Sequence, residues 1–74
     1  MRMIGDEIRK RRLALGLSQE ELAFRARLSR NYISLLELNQ KSPPLETLFR
    51  LGRALDARVS KWVAAVEAQK GKRK

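Results

Sequence analysis

The sequence predicts an all-α protein, a compact bundle of five helices. Apolar residues recur at helical spacing in five short segments, and no segment shows the alternating pattern of a strand. Between the segments lie signals that end helices, among them Gly16 and the pair Pro43–Pro44. We therefore expect one domain over residues 1–69, followed by a basic tail over residues 70–74 that is disordered.

The bounds of the five helices follow from these signals. The predicted helices are Ile4–Leu15, Gln19–Ala26, Arg30–Leu38, Leu45–Leu55 and Val59–Gln69. Two of them are expected to bury a clear apolar stripe: Ile4, Ile8 and Leu15 in the first, and Leu45, Leu48, Leu51 and Leu55 in the fourth. Trp62 is expected to fill the core, and the other aromatic residues, Phe24, Tyr32 and Phe49, also stand mostly at core-like spacing.

The second and third helices carry the most informative pattern in the chain. Ser18 precedes a helix in which Glu21 can reach back to it, as in a capping box, and Ser29 repeats the cap signal eleven residues later. The apolar positions that follow these caps are those that point inward in a helix-turn-helix: Leu22, Ala23, Ala26, Leu28, Ile33 and Leu36. Such a motif places its second helix in the DNA major groove, so DNA binding is the leading interpretation.

Composition supports a nucleic-acid partner and excludes several other classes of function. Lys and Arg number 17 against 8 Asp and Glu, a net charge of +9, which on a small domain indicates a polyanionic partner. The chain has no cysteine and no histidine, which excludes disulfides, thiolate zinc sites and histidine-based catalysis. It also offers neither a nucleophile–base set nor a cluster of metal ligands, so we expect no enzymatic activity, metal site or cofactor. No apolar run is long enough for a membrane span, and no small-molecule ligand is expected. We therefore expect a cytoplasmic, nucleoid-associated protein.

The third helix has an outward face suited to reading bases. On a helical wheel Ile33, Leu36 and Glu37 point inward, whereas the outward positions carry Arg30, Asn31, Ser34, Leu35 and Leu38. Arginine can pair with guanine, asparagine with adenine, and an aliphatic side chain can contact a thymine methyl group. Tyr32 lies between the two faces, where packing, a phosphate bond and a base contact remain open.

Polar residues around this helix are candidate phosphate ligands. Gln19 begins the second helix, where free N–H groups and the helix dipole favour an anion. The other candidates flank or belong to the third helix: Ser29, Tyr32, Asn39, Gln40 and Lys41. Asn39 is also a candidate for the left-handed residue that ends this helix. Contacts of this kind would position the protein without reading sequence.

With these motifs in view, the chain resembles the Cro/C1-type helix-turn-helix family, also called XRE. The resemblance spans Ile4 to Val63 and rests on the segments LSQEELA, YISLLE and SPPLETL. It implies a lambda-repressor-like, five-helix DNA-binding domain that binds a palindromic operator as a homodimer, with base-reading residues at Arg30, Asn31, Ser34 and Leu35. It also implies a buried ion pair between Arg12 and Glu37. The inward position of Glu37 supports this independently, because a lone buried carboxylate is costly.

Several residues depart from the family pattern. Arg27 stands where a glycine usually forms the turn, so it would have to accept a left-handed or altered turn. Pro44 occupies the place of a Ser or Thr cap, as Arg58 does before the last helix. Gly52 lies inside the fourth helix, where glycine costs about 1 kcal/mol relative to alanine.

The last helix suggests how the protein assembles. Val63 and Val66 extend its apolar stripe beyond what packing onto the core requires, and we interpret them as a dimer contact, the alternative being that they complete the core. Function is then expected to be that of a sequence-specific transcriptional regulator. An antitoxin that neutralises a partner and regulates its own operon is the alternative. A general RNA binder is less favoured because the chain has few aromatic residues for base stacking.

Overall fold

The computed structural model describes residues 3–71, and side chains as far as residue 68. Within this range the chain forms five helices and no strand, as predicted: α1 Ile4–Ala14, α2 Gln19–Ala26, α3 Arg30–Glu37, α4 Leu45–Ala54 and α5 Val59–Gly71. No helix in this range is long and apolar enough to cross a membrane.

The observed bounds differ from the predicted ones mainly at the C-terminal ends. Leu15, Leu38 and Leu55 are the residues that cap α1, α3 and α4, so each of these helices ends one residue earlier than predicted. In contrast, α5 continues to Gly71, past the predicted start of the tail at Lys70. The remaining tail residues, 72–74, lie outside the described residues.

The two predicted caps of the helix-turn-helix are confirmed. The Glu21 backbone N–H donates to Ser18 Oγ at 3.0 Å, and the Ser18 N–H donates to Glu21 Oε1 at 2.8 Å. The bond from the Ser18 backbone is also the main reason why the pKa of Glu21 lies below its usual value. At the next helix, the Tyr32 N–H donates to Ser29 Oγ at 3.0 Å. These bonds fix the first residues of α2 and α3.

The turns adopt the backbone conformations that the sequence required. Arg27 ends α2 in the left-handed region with φ 58°, as expected for a residue that replaces a turn glycine. Asn39 has φ 60° just after α3, which confirms it as the left-handed residue there. Pro44 precedes α4 and provides no side-chain cap.

The core lies where α1 packs against α3 and α5, and where α2 packs against α3 and α4. Its apolar members come from all five helices and the turn before α2: Ile8, Leu17, Leu22, Ala23, Ala26, Ile33, Leu36, Leu51, Leu55 and Trp62. The predicted inward positions of α2 and α3 are therefore confirmed, as is the burial of Trp62. Burial of this stripe holds α3 against the rest of the protein with its other side toward solvent.

Four apolar residues predicted to be buried, or placed at core-like spacing, are exposed. Leu15 follows the end of α1 and is 39% exposed, because the chain turns away at Gly16. Leu45 and Phe49 lie on one edge of α4 and are 63% and 50% exposed. Phe24 points away from the core on α2 and is 86% exposed. These predictions were wrong because no other helix covers those sides of α1, α2 and α4.

Two glycines allow neighbouring segments to approach closely. A Cβ atom at Gly5 would overlap the Leu36 carbonyl oxygen and the Asn39 side chain, so α1 can meet the end of α3 only through glycine. A Cβ at Gly52 would lie 2.9 Å from Val59 Cγ2 and 3.0 Å from the Ala57 carbonyl oxygen. The low helix propensity of Gly52 is therefore offset by close packing of α4 on the start of α5.

Candidate nucleic-acid interface

The predicted reading face of α3 is presented to solvent. Arg30 and Asn31 are exposed, whereas Ser34 and Leu35 are half-buried and Leu38 is 62% exposed. Ile33, Leu36 and Glu37 are buried on the opposite side, so the division of the helix into two faces is as predicted. Among residues 3–71, neither Arg30 nor Asn31 has a side-chain hydrogen bond or ion pair, which leaves their polar groups available to a ligand.

A buried ion pair holds the inner side of α3 against α1. Arg12 Nε donates to Glu37 Oε2 at 2.6 Å and Arg12 Nη2 donates to Glu37 Oε1 at 2.9 Å, a two-point contact. The side chains are only 9% and 2% exposed, and the hydrogen bonds to Glu37 raise the pKa of Arg12. Arg12 Nη1 also donates to the Leu17 carbonyl oxygen at 2.8 Å. The buried Glu37 carboxylate thus has the cationic partner that its inward position required. The two-point contact fixes the orientation of α3 relative to α1.

Gln19 has an internal partner that the sequence did not reveal. Its Nε2 donates to Glu37 Oε1 at 3.1 Å, so its side chain extends the ion pair toward α2. Its backbone N–H remains in the first turn of α2, where it was expected to face a phosphate. The phosphate role of Gln19 stays a prediction, and the structure favours its backbone over its side chain for that role.

Asn39 is also tied to the protein interior. Its Oδ1 accepts the Gly5 N–H at 2.9 Å, and its Nδ2 donates to Asp6 Oδ1 at 3.2 Å. Both ends of the amide therefore bind the first turn of α1. This role competes with the predicted phosphate contact, and it could not be found from the sequence because Gly5 and Asn39 are 34 residues apart.

The other candidate phosphate ligands lie at both ends of α3. Ser29 and Lys41 are exposed, as is Gln40. The Ser29 hydroxyl caps α3, while Tyr32 is half-buried and packs against the core. Of the alternatives for Tyr32, packing is thus observed, and a further contact through its hydroxyl group stays a prediction.

A second exposed surface is mainly apolar and lies along α4 and α5. Val63 is 47% exposed and Val66 is half-buried, and both line a shallow groove with Ile4, Pro43 and Leu48 and the polar residues Ser42 and Glu67. The exposed Leu45 and Phe49 belong to α4 as well. We call this groove and these two residues the α4–α5 surface.

The fold and the two-sided helix α3 define the class of protein. A family model described as helix-turn-helix matches residues 8–62, and the chain belongs to this XRE-type helix-turn-helix family. Its five helices share the lambda-repressor-like arrangement of its structural neighbours.

Individual relatives support the same assignment. The uncharacterised HTH-type transcriptional regulator y4dJ of Sinorhizobium fredii is 35% identical over 54 residues, which are 73% of this chain and 70% of that protein. The restriction–modification controller protein C.AhdI from Aeromonas hydrophila is 37% identical, with a TM-score of 0.77 over 80% of this chain and 89% of that one. SinR, a master regulator for biofilm formation whose structure was solved with DNA, is 32% identical, with a TM-score of 0.78 over 82% and 98% of the two chains.

Proposed function

We propose that the protein is a DNA-binding transcriptional regulator that reads its operator with α3. The observation that carries this proposal is the solvent-facing side of α3, where Arg30 and Asn31 have no partner among residues 3–71. Membership of the helix-turn-helix family and similarity to a regulator solved with DNA support it. The net charge of +9 favours association with any duplex, and α3 adds the preference for sequence.

Within this proposal the residues divide into two groups. Arg30, Asn31, Ser34 and Leu35 contact base edges in the major groove. The backbone N–H of Gln19 binds phosphates, as do the side chains of Ser29, Tyr32, Gln40 and Lys41, which lie around the ends of α3. Asn39 acts through the fold, by holding the end of α3 against α1.

We expect Arg30→Ala and Asn31→Ala each to reduce discrimination between bases by about 1–3 kcal/mol, concentrated at one base pair per half-site. Each substitution removes a side chain that has no internal partner, so the melting temperature should hardly change. Selection of bound sites from random DNA, followed by binding titrations, measures both effects.

Lys41→Ala is the matched control, because it removes an exposed polar residue that is assigned to phosphate. It should weaken binding to all sequences alike. If Arg30→Ala leaves the selected base preference unchanged, α3 is not the reading helix.

We also propose that two copies associate through the α4–α5 surface to bind a palindromic operator. One helix-turn-helix reads too few base pairs to select a single site, and the family commonly solves this by pairing half-sites. The exposed apolar side chains of Leu45, Phe49 and Val63 support this surface as the contact, since burial of such groups favours association. The two half-sites would then lie about one helical turn, or about 34 Å, apart.

Val63→Glu combined with Val66→Glu is expected to convert a dimer into a folded monomer with weaker operator binding. Two carboxylates on each copy would be desolvated and would repel each other at a two-fold contact. Sedimentation at micromolar concentration measures the assembly, and circular dichroism verifies the fold. Ala64→Glu with Ala68→Glu places the same charge on exposed positions of α5 and should leave the dimer intact. A wild-type protein that is monomeric both free and on DNA would refute the proposal.

A further inference from the structure

We propose that four arginines form a second DNA contact, which binds backbone phosphates beside the bases read by α3. Arg25 and Arg27, at the end of α2, face Arg50 and Arg53 of α4 across a small cavity. Ala26 and Ala54 complete its lining. We call this cavity the arginine cleft. The identification of DNA as the ligand rests on the proposed function. The contact extends that function to the part of the DNA outside the bases that α3 reads.

The arginine cleft is poor in counter-charge. No carboxylate lines it, and none of its four guanidinium groups has a hydrogen bond or ion pair within residues 3–71. One carboxylate on α2 interacts electrostatically with Arg25. It belongs to Glu21, an exposed residue that lies one turn before Arg25. Four cations around one small cavity repel each other, so an anion bound between them gains from all four.

The helix dipole explains the position of only some of these arginines. Arg25 and Arg53 lie in the last turns of α2 and α4, where a cation is favoured by the helix dipole. Arg50 lies one turn earlier on α4 and is half-buried, and Arg27 lies outside the helix. As the C-cap residue of α2, Arg27 shares this advantage, whereas Arg50 does not, yet Arg50 lines the cavity with the other three.

Arg27 is held in a conformation that glycine would adopt more easily. With φ 58° and ψ 46°, its backbone is in the left-handed region, which disfavours residues with a side chain. The chain therefore keeps an arginine at this turn at a cost in stability. A role for its guanidinium group in the arginine cleft accounts for that cost.

The chemistry and the position of the cleft favour DNA as the source of the anion. Guanidinium groups donate two parallel hydrogen bonds to phosphate oxygens, and the small alanine side chains leave room for a phosphate group between them. Arg27 lies three residues before Arg30, the first residue of α3. A duplex held by the start of α3 would therefore bring phosphates close to Arg27, the member of the cleft that is nearest to α3 along the chain, whereas a free phosphate compound would gain nothing from that neighbourhood.

The first experiment measures salt dependence on a duplex without an operator. Binding of the Arg50→Gln/Arg53→Gln double variant is compared with that of the wild type by fluorescence anisotropy across a range of salt concentrations. Loss of two phosphate contacts should reduce the slope of log K against log salt by about 1.8, since each contact contributes about 0.9. We expect affinity for every sequence to fall about tenfold or more, with base preference unchanged.

Arg9→Gln with Arg58→Gln is the charge-matched control. Both residues are exposed and lie outside the cleft, and their substitution removes the same net charge. An equal change of slope in the two double variants would show that only total charge matters, and would overturn the proposal. Pyrophosphate titrated into the DNA-free protein tests the other source of phosphate. If the cleft variant loses pyrophosphate binding but keeps the wild-type salt slope, the site serves a free anion and the DNA assignment is wrong.

Arg27→Gly separates the role of the side chain from its effect on folding. Glycine removes the left-handed strain, so the melting temperature should rise, while affinity for non-operator DNA should fall about threefold to tenfold. A higher melting temperature with unchanged DNA affinity would refute the arginine cleft. Failure of the α3 readout would appear instead as a lost effect of Arg30→Ala on base preference, so the two proposals fail independently.

Discussion

Glu37→Gln is expected to lower the free energy of unfolding by about 3–5 kcal/mol, a large fraction of what a small domain has. Glu37 receives two hydrogen bonds from Arg12 and one from Gln19 in a region closed to solvent. A neutral amide would leave the guanidinium group buried without a counter-charge. Arg12→Met should destabilise by a similar amount, because it leaves the carboxylate alone.

Urea melts of Glu37→Gln, Arg12→Met and the double variant form a complete cycle. We expect the double variant to lose much less than the sum of the single losses, since neither charge is then uncompensated. Glu20→Gln and Arg9→Met change the same residue types at exposed positions and should have little effect. Additive losses below about 0.5 kcal/mol would contradict the buried pair.

Gly5→Ala should destabilise the protein by about 3 kcal/mol, at the upper end of what overpacking usually costs. Its Cβ would overlap a backbone oxygen at Leu36, which cannot move aside as a flexible side chain can, and would displace the Asn39 side chain. The hydrogen bond from the Gly5 N–H to Asn39 would be strained at the same time. Thermal or urea unfolding measures the loss.

Gly16→Ala separates this steric effect from backbone strain. Gly16 has φ 69°, and no atom lies within 4 Å of the place that an alanine methyl group would occupy. Alanine there would therefore bear only the cost of the left-handed conformation, about 1 kcal/mol. We expect Gly5→Ala to be clearly the more damaging of the two. Equal losses would show that α1 can move away from α3 without penalty.

The local part of the fold was predictable because its signals are short-range. Ser18 and Ser29 cap α2 and α3 by accepting hydrogen bonds from residues three positions ahead. Both partners of each bond therefore lie within one short segment of the sequence. The inward face of α3 follows from helical period alone. A left-handed or altered turn could be expected at Arg27 because the family usually has a glycine there, and the left-handed form is the one observed.

Contacts between distant segments could not be found in this way. The exposure of Leu45 and Phe49 depends on whether another helix covers that edge of α4, and helical period does not report this. Asn39 looked like a loop residue available to phosphate, yet its amide bonds to Gly5 and Asp6. Gln19 likewise reaches Glu37 only because α2 crosses α3 at one particular angle.

The two-sided construction of α3 has a consequence for how such regulators diversify. The main contacts between this helix and the core, from the apolar contacts of Ile33 and Leu36 to the ion pair of Glu37, lie on its inner side. Arg30 and Asn31 contribute nothing to those contacts. If α3 reads the operator as proposed, new residues at Arg30 and Asn31 would change the preferred operator while folding stays intact, and duplicated copies of the gene would acquire separate targets through a few substitutions.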